Sequence, residues 1–228
     1  MRLDRYLSEN TNLSRKEAKR ALHRESVTVD GLVAKKGDIK ITEHVVCYEG
    51  KVVNVRGPLY LMVHKPKGYV CSTVDDDGTS ILELLPVEMR NNIHIAGRLD
   101  KDTTGLVLLT DDGQWSHRVT SPNRECKKVY QVELLEALNE ALVAQFEAGI
   151  ELNGENKLTK PAQLTLVSAH KASLTLSEGK YHQVKRMFAA VDNHVIQLHR
   201  AAVGPLVLDD SLPIGQWRLL TNDEVNYF

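Results

Sequence analysis

Apolar residues recur with different periods along this chain, and each period predicts an element. Ala18, Ala21 and Leu22 fall on one face of a helix, while Arg15, Lys16, Lys19, Arg20 and Arg24 spread over the other. Ser14 with Glu17 three residues later has capping-box spacing, so the helix is expected to start there and run to about His23. Val27-Thr28-Val29 and Leu32-Val33-Ala34 alternate on either side of Asp30-Gly31, a strong hairpin signal. The N-terminal order therefore reads helix, helix, hairpin and short strands.

Regular alternation lapses at Asn54-Val55-Arg56-Gly57-Pro58, which places a boundary between a small unit, residues 1–57, and a larger one, residues 58–228. The larger unit opens with an apolar run at 59–63, ended by the bend Lys65-Pro66-Lys67-Gly68. A second run occupies 106–109, and 128–134 reads as a strand with Tyr130 sharing a face with Lys128 and set apart from Val129 and Val132. Residues 139–148 read as a helix, 164–167 and 173–176 as paired strands, and 178–188 as a glycine turn leading into a helix.

Composition narrows the class. The 228 residues are 42% hydrophobic and 26% charged, as in ordinary globular domains, and no apolar run approaches a membrane span. Charge interrupts Met1-Arg2-Leu3-Asp4-Arg5-Tyr6-Leu7, so no secretory leader is read there and a cytoplasmic location is expected. Cys47, Cys71 and Cys126 are odd in number and widely spaced, which argues for reduced thiols rather than disulfides or a zinc site. The net charge of −1 conceals an asymmetry: residues 1–58 carry 12 Lys and Arg against 8 Asp and Glu, and the remainder 17 against 22. The basic helix face is thus either a solvated surface or a site for an anionic partner.

Candidate chemistry concentrates in Gly97-Arg98-Leu99-Asp100-Lys101-Asp102-Thr103-Thr104-Gly105. Two glycines permit sharp turns at its ends, and one carboxylate, Asp100, stands among donors suited to phosphate or ribose. The loop is either reactive or a polar hairpin with a satisfied turn aspartate. Lys185 or Arg186 would supply the counter-charge that Asp100 needs. With no serine or cysteine in a nucleophile motif, His182 is read as structural or RNA-contacting rather than as a catalytic base. Asp75-Asp76-Asp77-Gly78 is expected to be a solvated loop, since consecutive side chains on an extended chain cannot converge on a metal, and Asp111-Asp112-Gly113 a hairpin turn.

The first quarter of the chain resembles the S4 RNA-binding domain, through Arg2-Leu3-Asp4-Arg5-Tyr6-Leu7, Ser14-Arg15-Lys16-Glu17-Ala18 and Val27-Thr28-Val29-Asp30-Gly31. That resemblance implies a module gripping structured RNA by phosphate contacts, with Arg2, Arg15, Lys16, Lys19 and Arg20 facing it. The rest resembles the pseudouridine synthases of the ribosomal small-subunit branch, through Lys65-Pro66-Lys67-Gly68, the 97–106 loop, Lys128-Val129-Tyr130 and Glu178-Gly179-Lys180-Tyr181-His182-Gln183-Val184-Lys185-Arg186-Met187. Cys71-Ser72-Thr73 and Asp111-Asp112-Gly113-Gln114-Trp115-Ser116-His117-Arg118 point to the small-subunit members.

This second resemblance implies an α+β catalytic domain on a long mixed, mostly antiparallel sheet with a central cleft. The implied activity is isomerisation of a uridine in 16S ribosomal RNA, by a monomer without cofactor, metal or membrane association. It assigns Asp100 as the catalytic carboxylate, Tyr130 as the ring packing on the target base and Lys185 as the cation paired with Asp100. Lys65, Arg98, Thr103, Thr104, His182, Gln183 and Arg186 are implied RNA contacts, Arg98 being placed to fill the stack vacated by an extruded base. Some relatives carry arginine at the position of Lys185, and lysine lacks its bidentate fork. Three alternatives stay open: a uridine of 23S ribosomal RNA as substrate, a non-catalytic S4-type RNA-binding or ribosome-assembly protein, and a metal-dependent phosphoesterase using Asp100 with Asp111 or Asp112.

Overall fold

The structure, a computed structural model, describes residues 1–73 and 78–228. By its contacts the chain divides into two units: Met1–Pro58 together with Leu85–Ile93, and Leu59–Leu84 together with His94–Phe228. Grouping of Leu85–Ile93 with the first unit departs from the expected uninterrupted second unit, because local pattern carries no record of which distant residues a segment meets.

In the first unit, α1 (Leu3–Asn10) and α2 (Arg15–His23) pack through Leu3, Leu7, Ala18, Ala21 and Leu22. The capping box of α2 is complete: the Ser14 hydroxyl accepts from the Glu17 amide at 3.3 Å, and the Glu17 carboxylate accepts from the Ser14 amide at 2.8 Å. Four short strands, β1 (Val27–Val29), β2 (Leu32–Val33), β3 (Val46–Tyr48) and β4 (Lys51–Val52), form a sheet in the order β2-β1-β3-β4. Asp30 and Gly31 both take positive φ, 50° and 81°, which gives the β1–β2 hairpin its tight turn. Arg15, Lys16, Lys19 and Arg20 all remain exposed on α2.

The second unit is built on a nine-stranded mixed sheet. Its strands are β5 (Tyr60–Lys65), β6 (His94–Ala96), β7 (Thr104–Thr110), β8 (Lys128–Leu134), β9 (Gln163–Ser168), β10 (Lys171–Leu176), β11 (Val195–Val203), β12 (Leu206–Val207) and β13 (Trp217–Leu219). They run β13-β5-β7-β11-β8-β10-β9, with β6 also on β7 and β12 also on β11. Every pairing is antiparallel except β7 with β11. One apolar cluster gathers Val132, Phe146, Leu174 and Phe188 beneath α4 (Ala141–Ala148) and α5 (Gln183–Ala189). A second gathers Met62, Leu106, Leu108 and Trp115 beneath α3 (Gly113–Thr120). Strand β7 is buried on both faces, which explains why Leu106 to Leu109 form an unbroken apolar run rather than an alternating one.

Where β7 meets β11 the backbones approach so closely that a Cβ on Gly105 would sit 2.3 Å from the Arg200 carbonyl oxygen, and Gly105 also takes φ 109°. Only glycine fits there.

One local expectation needs correction. Asp111-Asp112-Gly113 is no hairpin turn but a strand-to-helix junction: Asp112 accepts from the Gln114 and Trp115 amides at the start of α3, and Asp111 accepts from the Leu59 amide. Asp75, Asp76 and Asp77 lie outside the described residues. Cys47, Cys71 and Cys126 are free thiols. Among the described residues no helix is long and apolar enough to cross a membrane.

Candidate active site

A cleft of about 870 Å³ in the second unit is lined by the 97–103 loop, the start of β8 and the segment leading into α5. Between β6 and β7 the chain turns through Gly97, at φ 97°, and returns at Gly105, which exposes Asp100 at the bend. Asp100 is part-buried and faces two basic side chains. The Lys185 ammonium is 3.3 Å from Oδ2 and the His182 Nε2 is 3.4 Å from Oδ1. Tyr130, half-buried on β8, lines the same cleft. Positions 100, 130, 182 and 185, carried on three segments far apart in the chain, thus converge.

The Lys185 contact is more elaborate than a single pair. Its ammonium donates to Asp102 at 2.6 Å, closer than to Asp100, so two carboxylates share one cation. Burial alone would draw the Lys185 pKa down, but the Asp102 hydrogen bond and the charges of Asp100 and Asp102 outweigh it and raise it above the ordinary lysine value. For Asp102, burial pushes upward, and the bond to Lys185 with its charge prevails, holding the carboxyl below its usual range. Asp102 stands two residues beyond Asp100 in the loop, and nothing local showed that it would take the nearer place at Lys185.

Several implied RNA contacts face inward instead. Lys65 is fully buried and its ammonium donates to the carbonyls of Pro66, Lys101 and Thr103, so it braces the Asp100 loop and is closed to a ligand. Burial depresses its pKa, partly offset by the charges of Cys71, Asp102 and Asp100. Thr103 is also buried, its hydroxyl lacking a hydrogen-bond partner among the described residues. Gln183 is buried, accepting from the Lys180 amide and donating to Glu178. The Thr104 hydroxyl is 2.9 Å from His199 Nδ1, and Arg186 is spent on Glu155 and the carbonyls of Asn153 and Tyr181. Arg98 and His182, by contrast, open onto the cleft, with Arg98 exposed and His182 half-buried. Arg2 is exposed and paired with Asp4. The face of Tyr130 also needs revision: residues two apart on a strand point the same way, and Tyr130 packs on the apolar cluster that contains Val132.

Arg200 is the residue that pattern reading missed. It is 2% exposed, and its guanidinium donates to Leu106 O at 2.8 Å, Gly97 O at 2.8 Å and Arg98 O at 3.3 Å, clamping both ends of the Asp100 loop. In register it lies between Gly105 on β7 and Tyr130 on β8, so one residue sets the loop against the aromatic ring. Its signal in the sequence was slight: an arginine ahead of Ala201-Ala202-Val203, in a stretch that also carries the polar Gln197 and His199. Arg200→Met is expected to leave these carbonyls without donors and lower the unfolding free energy by at least about 3 kcal/mol, since three bonds from a charged donor are lost and each contributes roughly 1.5–3 kcal/mol. Denaturant titration would check this, and an unchanged midpoint would count against the clamp.

Residues 59–190 match the family model described as RNA pseudouridylate synthase. Ribosomal small subunit pseudouridine synthase A of Yersinia pestis is 51% identical over 227 residues, covering 99% of this chain and 97% of the relative. The protein of the same name from Escherichia coli K12 is 47% identical, over 99% of this chain and 98% of the relative. A crystal structure of a pseudouridylate synthase superposes over 100% of this chain and 99% of its own, with a TM-score of 0.73 and 44% identity. With an acid loop, a paired cation and an aromatic ring around one cleft, and with likeness along nearly its full length, this chain belongs to the RNA pseudouridylate synthase family.

Proposed function

We propose that this protein converts a uridine of small-subunit ribosomal RNA to pseudouridine, with Asp100 as the reacting carboxylate. The single observation that carries the reading is the convergence of Asp100, Lys185, His182 and Tyr130 on one cleft. Support for the small-subunit substrate comes from the relatives named above, which cover almost the whole chain.

Isomerisation breaks the bond between uracil N1 and ribose C1′ and makes one between C5 and C1′, while C5 loses its proton to solvent and N1 gains one. It needs a carboxylate near the sugar and a pocket that keeps the detached base. Asp100 fills the first role on either of two routes, attack on C1′ or removal of a sugar proton to give a glycal. Lys185 keeps the carboxylate compensated, and Tyr130 packs against the base. Extruding the uridine costs a few kcal/mol, and Arg98, exposed at the cleft, stands ready to occupy the space it leaves. The first unit serves as an S4-type RNA-binding module. Its exposed row of Arg15, Lys16, Lys19 and Arg20 suits phosphate contacts.

A phosphoesterase would need Asp111 or Asp112 at the reacting centre, whereas these side chains cap Leu59 and α3. Tritium release from 5-labelled uridine in small- and large-subunit ribosomal RNA tests the proposal. Release from the small-subunit RNA is expected. Release from large-subunit RNA alone would overturn the substrate, and binding without release would favour the non-catalytic reading. Carbodiimide-dependent reverse-transcriptase stops would then locate the product.

A further inference from the structure

Tyr181 has no part in the chemistry described so far, yet it lines the cleft and is 77% exposed. One face of its ring is covered: it stacks on the His182 imidazole with centroids 3.8 Å apart and planes 21° from parallel. His182 in turn touches Asp100, so the tyrosine ring stands one ring further out from the reacting carboxylate. Its opposite face is open.

The backbone carrying that ring is fixed from several sides. Arg186 donates to the Tyr181 carbonyl at 3.2 Å and is itself held by Glu155 and the Asn153 carbonyl. Lys180 is bonded through its side chain to Glu155 and through its amide to Gln183. His182 adopts a left-handed conformation, φ 46°, which L residues seldom take and which costs roughly 1–2 kcal/mol. A surface tyrosine without a ligand has no need of such a mount. Rigid presentation of one open aromatic face, by contrast, lowers the entropy of ordering a planar partner.

We infer that Tyr181, backed by His182, is a stacking platform for an unpaired nucleobase next to the reacting uridine, a subsite distinct from the one formed by Tyr130. This rests on the RNA reading above. Every base has a π-face, so the platform would accept any base and would contribute to holding the strand open around the extruded uridine rather than to reading its sequence.

The test uses the full chain and small-subunit ribosomal RNA, with the dissociation constant measured over a salt titration and turnover measured by tritium release at saturating RNA. Tyr181→Ala is expected to weaken binding about ten-fold, inside the range found for base–aromatic stacking. Tyr181→Phe, which keeps the ring, is expected to bind within about two-fold of the unaltered protein. The slope of log affinity against log salt should not change in either variant, because no phosphate contact is lost. Three results would overturn the platform: Tyr181→Ala binding as well as the unaltered protein, Tyr181→Phe losing as much as Tyr181→Ala, or turnover falling while affinity holds. The last would make Tyr181 a prop for His182 instead. If the unaltered protein fails to bind this RNA, the substrate reading falls; if it binds and Tyr181→Ala matches it, only the platform does.

Discussion

Asp100→Asn is expected to abolish pseudouridine formation, by at least about 10⁴-fold in tritium release, with RNA affinity within about two-fold. Asparagine matches aspartate in shape but is neither a nucleophile nor a base, so both routes open to Asp100 close together. Binding should survive because Lys185 does not lose its principal partner: Asp102 remains at 2.6 Å and keeps the ammonium satisfied. The basic face of the first unit is untouched as well. Turnover by this variant near that of the unaltered protein would remove Asp100 from the reaction, and loss of binding in parallel would recast it as a structural residue.

Lys185→Met is expected to lower turnover about 10²–10³-fold, the size of effect seen when one preorganised electrostatic partner is removed. The part-buried Asp100 and the exposed Asp102, which share this cation, would then be left without compensation. Lys185→Arg should recover part of the loss, because charge is retained while the guanidinium fork requires a different approach to Asp100 and Asp102. Stability should respond too, and in a defined window. The raised pKa of Lys185 contributes stability that is whole below the unfolded lysine value and lost as pH rises through the folded one. The lowered pKa of Asp102 contributes stability that is whole above the unfolded aspartate value and lost as pH falls through the folded one. The difference in unfolding free energy between the unaltered protein and Lys185→Met should therefore be flat from about pH 5 to about pH 9 and shrink at either extreme. A difference that grows toward acid would contradict the pairing.

What was readable beforehand follows from how far each determinant reaches along the chain. Ser14 and Glu17 act over three residues and Asp30-Gly31 over two, so the capped helix and its hairpin were visible in the letters. Asp100 and Lys185 were placed together by resemblance, and the structure sets them 3.3 Å apart. Orientation was another matter. A lysine beside a proline reads as a surface bend, but Lys65 finds acceptors 36 and 38 residues downstream and turns inward. Gln183 likewise gives both ends of its amide to neighbours in the fold, and Asp112 spends its carboxylate on helix amides. Arg200 escaped notice because its acceptors lie 94 to 103 residues upstream, beyond any periodicity a window could detect.

The single parallel pairing in the sheet has a consequence for the order of assembly. Parallel neighbours need a crossover, and here the crossover carries everything between β7 and β11. During synthesis the acid-bearing loop leaves the ribosome long before the strand that will fasten it, and closing so large a loop is slow. A nascent chain halted ahead of residue 195 would hold Asp100 without the Arg200 clamp, and Tyr130 with β10 on one side but no β11 on the other. The fastening of the Asp100 loop is thus among the last contacts that synthesis makes possible.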